Sequence, residues 1–223
     1  LSGTQYTPEK GWDENKVDMF RRHIIQLGTT GVYVIYDELE GKEAVTWSYL
    51  LHTVELPMEM QELPDKVKIT GKNKAGGTSV AHLFSSAKTE QAIIDTFFCA
   101  PTNWKNVTNA QGKALKYPNH WHFSSTTAPC KTARFLTVMD THGNNRPDME
   151  VTRKGNTVQV GNWVITCNLT DKGKAAISVT NKAEKVSLNY DAGKKEGATI
   201  VTDQVEGKQV SKVLTDYLPD FEI

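Results

Sequence analysis

The chain has 223 residues with 26 basic and 26 acidic side chains, so its formal net charge is zero and it lacks the basic surplus that holds a nucleic-acid backbone by charge alone. That length suffices for a full core in one all-β domain. No stretch reaches the roughly 20 apolar residues of a membrane-spanning helix, and no charged-then-apolar leader opens the sequence at Leu1, so a soluble, already trimmed chain is expected, with a signal peptide or a larger N-terminal portion removed.

Residues 1–17 are polar, with glycine, proline and charge, and suit a lead-in segment more than a packed element. Next come Phe20-Arg-Arg-His-Ile-Ile-Gln-Leu27, a Gly28-Thr-Thr-Gly31 turn and Val32-Tyr-Val-Ile-Tyr-Asp-Glu-Leu39. This order predicts a hairpin, because glycine accepts the positive φ that tight turns need. Residues 32–37 lack polar alternation before Asp37, as in a strand covered on both faces. In 44–53, Val45, Trp47, Tyr49 and Leu51 share one face while Thr46, Ser48, Leu50 and His52 share the other; a central strand is expected there. Further β-forming runs fall at 66–70, 78–84, 92–98, 120–125, 133–140, 148–152, 157–168, 175–180, 185–190, 197–202 and 207–215, and Lys88 to Ile94 has room for a short helix. Turns such as Gly71-Lys-Asn-Lys-Ala-Gly-Gly77, His142-Gly-Asn-Asn145 and Asp171-Lys-Gly173 separate them. Strands at this spacing predict a single antiparallel β-sandwich over residues 18–223. Lys182, Lys185, Lys194, Lys195, Lys208 and Lys212 fit solvated faces and guarded edges near the end.

Few residues stand out chemically. Cys99, Cys130 and Cys167 are odd in number and not at metal-like spacing, so at least one thiol is free, and Cys99 and Cys167 read as small buried hydrophobes. His120 and His122 lie two apart, which on a strand puts both imidazoles on one face. With no Asp, Glu or Cys close in sequence, a surface or cleft pair is favoured over a metal site. His52 reads as a half-buried, hydrogen-bonded side chain, and His82 and His142 as ordinary strand and loop residues. Arg21 and Arg22 point to opposite faces, so at most one can enter a substrate cleft, where a guanidinium suits a sugar carboxylate or sulfate. Salt bridges to Asp37 or Glu38 on the paired strand are the favoured alternative. Trp12, with Tyr6, Trp104 and Tyr117, falls in loops where a ring can stack on a sugar or be buried; Trp47, Trp121 and Trp163 fall in strands and read as core. Phosphate loops, nucleophile elbows and a cysteine beside a base are all lacking.

The Arg/His-rich strand, the Val32–Leu39 strand and Trp47-Ser-Tyr-Leu-Leu-His52, followed later by Trp121-His-Phe-Ser-Ser125 and Arg134-Phe-Leu-Thr-Val138, together resemble the C-terminal β-sandwich of the heparinase II/III-like polysaccharide lyases. The resemblance is tightest over 18–53 and 117–140 and weakest after 180. It implies a large, supersandwich-like β-sandwich of roughly a dozen or more strands, in a bacterial periplasmic or secreted enzyme that cleaves uronic-acid polysaccharides such as glycosaminoglycans by β-elimination. That reaction needs a base for the C5 proton, an acid for the C4 oxygen and a neutraliser for the carboxylate. In the family the acid and base come mainly from an N-terminal α/α-toroid, which these residues do not contain, so no catalytic residue is assigned. Many members hold a structural metal, commonly zinc; the resemblance implies His23 as one ligand, but the family's upstream ligand stretches are missing. An incomplete site, and no cofactor in this chain alone, are therefore expected. The implied role is one wall of a cleft for acidic polysaccharide, incomplete without the toroid; the alternative is a non-catalytic carbohydrate-binding or structural module.

Overall fold

The computed structural model describes residues 6–7, 11–12, 16–54, 56–95, 108–113, 120–194, 199–205 and 208–214, and among them there is no helix. Eighteen strands run in chain order: β1 (Tyr6–Thr7), β2 (Gly11–Trp12), β3 (Val17–Gln26), β4 (Val32–Val45), β5 (Ser48–Val54), β6 (Glu59–Leu63), β7 (Lys66–Lys72), β8 (Thr78–Ser85), β9 (Thr89–Ile94), β10 (His120–Thr127), β11 (Cys130–His142), β12 (Val151–Lys154), β13 (Thr157–Val160), β14 (Trp163–Cys167), β15 (Ala176–Asn181), β16 (Val186–Asp191), β17 (Thr199–Val205) and β18 (Lys208–Leu214). Every pairing is antiparallel, so the chain is an all-β protein with sandwich architecture.

One domain over 18–223 is the sequence expectation; the chain divides into two compact units, residues 1–148 and 149–223. The division follows the polar turn Gly143-Asn-Asn-Arg-Pro-Asp148, which in sequence looks like one more hairpin loop. Apart from the short β1–β2 pair, the first unit holds a six-stranded sheet in the order β3-β4-β11-β8-β7-β6 and a three-stranded sheet in the order β5-β10-β9. Period-two alternation places Leu39, Ile69, Ala81, Leu83, Ala133 and Phe135 of the larger sheet against Tyr49 and Phe123 of the smaller one, with Tyr49 and Phe135 ring centres 5.7 Å apart. The second unit is a seven-stranded meander, β12 to β18 in sequence order, whose buried side chains include Val158, Val160, Trp163, Ile165, Ile177, Val179 and Tyr190.

The predicted β3–β4 hairpin is present. Leu27 N donates to Val32 O (2.9 Å), and Gly28 and Gly31 both carry positive φ. At Gly31 a side chain is also excluded by space, since a Cβ would lie 2.5 Å from Thr141 O.

Four differences from the sequence reading have local causes. The 44–53 run is split: β4 ends at Val45, and after Thr46-Trp47 the chain enters the other sheet, where β5 is an edge and not a central strand. Residues 157–168 form two strands joined by a tight Gly161-Asn162 turn, with Val160 opposite Trp163. Residues 88–94 favour helix by composition, but 89–94 form β9, because β10 offers a complete ladder from Thr127 opposite Thr89 to His122 opposite Ile94 and pairing overrides propensity. The charged Glu59–Leu63 stretch, unread in the sequence, forms exposed edge strand β6 against β7.

Trp47 pins the place where the chain changes sheets. Its Nε1 donates to Cys130 O (3.1 Å), its backbone N donates to Thr127 Oγ1 (3.1 Å), and its carbonyl accepts from Thr127 N (2.9 Å). The two crossings between sheets, β4 to β5 and β10 to β11, are thereby tied side by side around a ring that is 2 % exposed. Replacing Trp47 by Ala removes both the indole volume and its hydrogen bond. The expected loss is about 3–5 kcal/mol of unfolding free energy, measured by urea titration with far-ultraviolet circular dichroism.

Candidate functional site

Strand β3 brings its basic residues against two buried carboxylates of β4. Arg22 lies opposite Asp37 and Arg21 opposite Glu38 in the register, and both acids are 2 % exposed. Arg22 grips Asp37 with two parallel hydrogen bonds, Nε to Oδ1 at 2.7 Å and Nη2 to Oδ2 at 2.8 Å. Its guanidinium carbon also stands 5.6 Å from the centre of the Tyr49 ring and 5.7 Å from that of Phe20. On the other face, Arg21 Nη1 is 3.6 Å and His23 Nε2 3.0 Å from the same oxygen of Glu38. Arg134 of β11 is the residue across from Glu38 on the far side. Arg21 and Arg22 do lie on opposite faces, and each guanidinium is engaged by a carboxylate of the fold. His23 faces a carboxylate that it shares with Arg21. Among the described residues no three His, Cys, Asp or Glu side chains are set around one point as a metal requires.

A cleft of about 540 Å³ opens elsewhere in the first unit, lined by His52 and Thr53 of β5, Gly71 and Lys72 of β7, Asn73 and Gly77 of the following loop, Thr78 and Ser79 of β8, and Thr141 and His142 of β11. Asp37 faces Phe135 on β11, and the six residues from there to Thr141 place the cleft roughly 20 Å along the strand from the Arg22 pair. Gly71 allows β5 to come close, since a Cβ there would lie 2.6 Å from the Thr53 methyl. The Asn73 loop is held shut: Asn73 Oδ1 accepts from Gly77 N (2.8 Å) and Asn73 N donates to Gly77 O (2.9 Å). His142 is fixed through Nδ1, 2.7 Å from Gly143 O, and Nε2, 3.2 Å from Asp148 Oδ1. The other Asp148 oxygen accepts from Lys68 Nζ at 3.2 Å. Burial pushes the Asp148 carboxyl up, but the hydrogen bonds from Lys68 and His142 outweigh it and hold the group below the usual carboxylate range. The lining offers the Lys72 ammonium, the His52 imidazole, hydroxyls and an amide, and no Phe, Tyr or Trp ring, while both ring nitrogens of His142 are already engaged. The chemistry of such a lining is that of charge and hydrogen bonding, not of ring stacking.

The sequence reading leaves Lys72, Asn73, Thr78, Ser79 and Thr141 unmarked as functional. Their signal is present only in part, as the Gly71–Gly77 and His142–Asn145 turns; that these two turns share one end of a sheet follows from β11 lying beside β8. The Trp12 and Tyr6 backbones pair in the β1–β2 ladder, but the Trp12 and Tyr6 side chains, with Trp104, Tyr117 and Cys99, lie outside the described residues. Trp47 and Trp163 are buried and Trp121 packs against the core, as expected; Cys167 is buried, also as expected. Comparison with protein-family models and with curated proteins returns no match for this chain. Among the described residues no helix is long and apolar enough to cross a membrane.

Two outcomes are expected. Arg22→Ala leaves Asp37 buried without its fork; because the guanidinium is partly exposed, the cost falls below the 3–5 kcal/mol of a fully buried pair, at about 2 kcal/mol, read by urea denaturation. His82 is 6 % exposed, and burial, reinforced by Lys66 and Lys68, pushes its imidazole down from 6.5 to about 4. Between these values the unfolded chain binds the extra proton, so stability falls as pH drops from 6.5 toward 4, and above 6.5 the group is neutral in both states. His82→Leu removes this acid-side loss, on the order of 1–2 kcal/mol once solvent screening around the lysines is allowed for, measured as urea midpoints at pH 7 and pH 4.5.

Proposed function

We propose that this chain is a non-catalytic sandwich that binds acidic polysaccharide and forms one wall of the substrate cleft of a heparinase II/III-like polysaccharide lyase. The observation that carries the proposal is the Lys72–His52–His142 cleft, with its rim of Asn73, Thr78, Ser79 and Thr141. A uronate presents one carboxylate and several hydroxyls, and this lining offers a cation, the His52 imidazole and hydroxyl partners in matching kind. Further support comes from the all-β antiparallel architecture and from the order of the strands that carry the family resemblance. In this reading the acid and the base of the elimination come from a helical domain outside these residues, and the location is periplasmic or secreted. Arg21 and Arg22 serve the reading as structural cations, neutralising Glu38 and Asp37, and leave the sugar carboxylate to Lys72.

The test is calorimetric titration with an oligouronate and with a neutral oligosaccharide of equal length. Binding of the acidic ligand is expected to exceed that of the neutral one and to weaken with salt. Lys72→Ala is expected to lower the affinity about tenfold, the size of one hydrogen bond to a charged group. The chain alone is expected to generate no unsaturated-uronate absorbance. Equal affinity for both sugars, or an unchanged affinity in Lys72→Ala, overturns the proposal for the cleft, and turnover by the chain alone overturns its non-catalytic character.

A further inference from the structure

The seven-stranded sheet of the second unit has one face of unusual composition. Its strands alternate, with Val158, Ile165, Ile177, Val179 and Tyr190 buried on one side and the side chains between them at least partly open to solvent on the other. The register aligns the open side into rows that run across the strands. Thr157 of β13 lies opposite Thr166 of β14, Thr166 opposite Ser178 of β15, and Ser178 opposite Asn189 of β16; farther on, Thr202 of β17 lies opposite Ser211 of β18. Cross-strand hydrogen bonds join these side chains in pairs. The Thr157 and Thr166 hydroxyls are 3.2 Å apart, Ser178 Oγ donates to Asn189 Oδ1 at 2.7 Å, and the Thr202 and Ser211 hydroxyls are 2.8 Å apart. Asn189 is exposed and oriented by this bond, which uses its oxygen and leaves its two N–H donors to a ligand. Among the described residues of these strands the open face has no Phe, Tyr or Trp, and its only charges, Lys154 and Asp191, stand at strand ends. The exposed lysines Lys172, Lys182, Lys185 and Lys194 sit in the connecting turns. Exposure to water does not account for this pattern, because a face that only meets solvent ordinarily mixes charges of both signs. Strand propensity accounts for the threonines but not for Ser178, Asn189 and Ser211, whose types favour turns and which here occupy strand interiors.

We propose that this face binds a neutral polysaccharide chain laid across the strands. An uncharged glycan presents hydroxyls that both donate and accept, as the Thr, Ser and Asn side chains of the face do. A chain running along a row meets a new hydroxyl or amide at each strand, about every 4.8 Å. Other partners lack what they need here. An acidic glycan or a nucleic acid requires cations, and a protein partner requires aromatic or arginine anchors. Successive strands of a sheet are turned by about 20–25°, so the face suits a single pliable chain and not a flat crystalline layer. Each contact replaces a hydrogen bond to water and gains little by itself; a ligand must therefore span several strands, and short oligosaccharides engage the face weakly. The site lies in the other unit from the Lys72 cleft, selects the opposite kind of ligand charge and does not depend on the reading of that cleft.

The test is native electrophoresis of the full chain in gels containing mixed-linkage β-glucan, xyloglucan or galactomannan, with a non-binding protein as the mobility reference. Saturable retardation by at least one of the three is expected, and added salt is expected to leave it in place, since no ion pair is involved. Asn189→Lys and Thr166→Lys put a long charged side chain on the middle of the face at exposed positions. Each is expected to raise the dissociation constant at least about tenfold while thermal melting by circular dichroism shows the fold retained. Lys72→Ala, a change in the cleft, is expected to leave the retardation as it is. Absence of retardation by all three polymers, binding abolished by salt, or binding lost in Lys72→Ala but kept in Asn189→Lys overturns the proposal.

Discussion

Asp37 and Glu38 are adjacent carboxylates in β4, each almost fully removed from water, and the rest of the first unit is arranged around neutralising them. Neighbouring residues on a strand point to opposite faces, so one cation cannot serve both. The hairpin partner supplies one for each face: Arg22 for Asp37, and Arg21 with His23 for Glu38. A buried carboxylate without such a partner would cost several kcal/mol, so the basic run in β3 is first a requirement of the fold. The register of the β3–β4 hairpin is held by the same pairs, because a slip of β3 by one residue would carry Arg21, Arg22 and His23 to the faces opposite the acids they neutralise.

That requirement bears on function. A cluster of Arg, Arg and His on one strand invites assignment to an anionic substrate, yet each side chain is already committed to an acid of the fold. The groups left to meet a ligand gather where the β5 end, the β7–β8 loop and the β11 end come together. There Gly71 allows close approach of two strands, Asn73 fixes a loop, and Asp148 holds His142 while itself held by Lys68. The support is rigid and the exposed groups are polar, as a binding surface for a hydroxylated anion needs.

Much of the fold was legible because its signals are local. Alternation in 44–53 gave the buried face of Trp47 and Tyr49, and Gly28-Thr-Thr-Gly31 gave the hairpin. What was missed depends on partners distant in sequence. Thr89–Ile94 is a strand because β10 is beside it, and Glu59–Leu63 because β7 has a free edge. The Gly161-Asn162 turn is a local signal, masked by the β-forming residues that run continuously on either side of it. Only two turns of the cleft were legible, since its residues come from four strands whose adjacency no single stretch encodes, and the same holds for the meeting of His52 with His122. By contrast the Arg22–Asp37 pairing was readable, as it lies within one hairpin.

The most direct measurement is amide shift mapping by nuclear magnetic resonance on the isotopically labelled chain during titration with an oligouronate. Perturbations are expected to concentrate at His52, Thr53, Gly71 to Ser79, Thr141 and His142, with Phe20 to Gln26 unmoved. Shifts centred on Arg21 and Arg22, with the cleft silent, would contradict the division between a neutralising strand and a ligand-binding cleft.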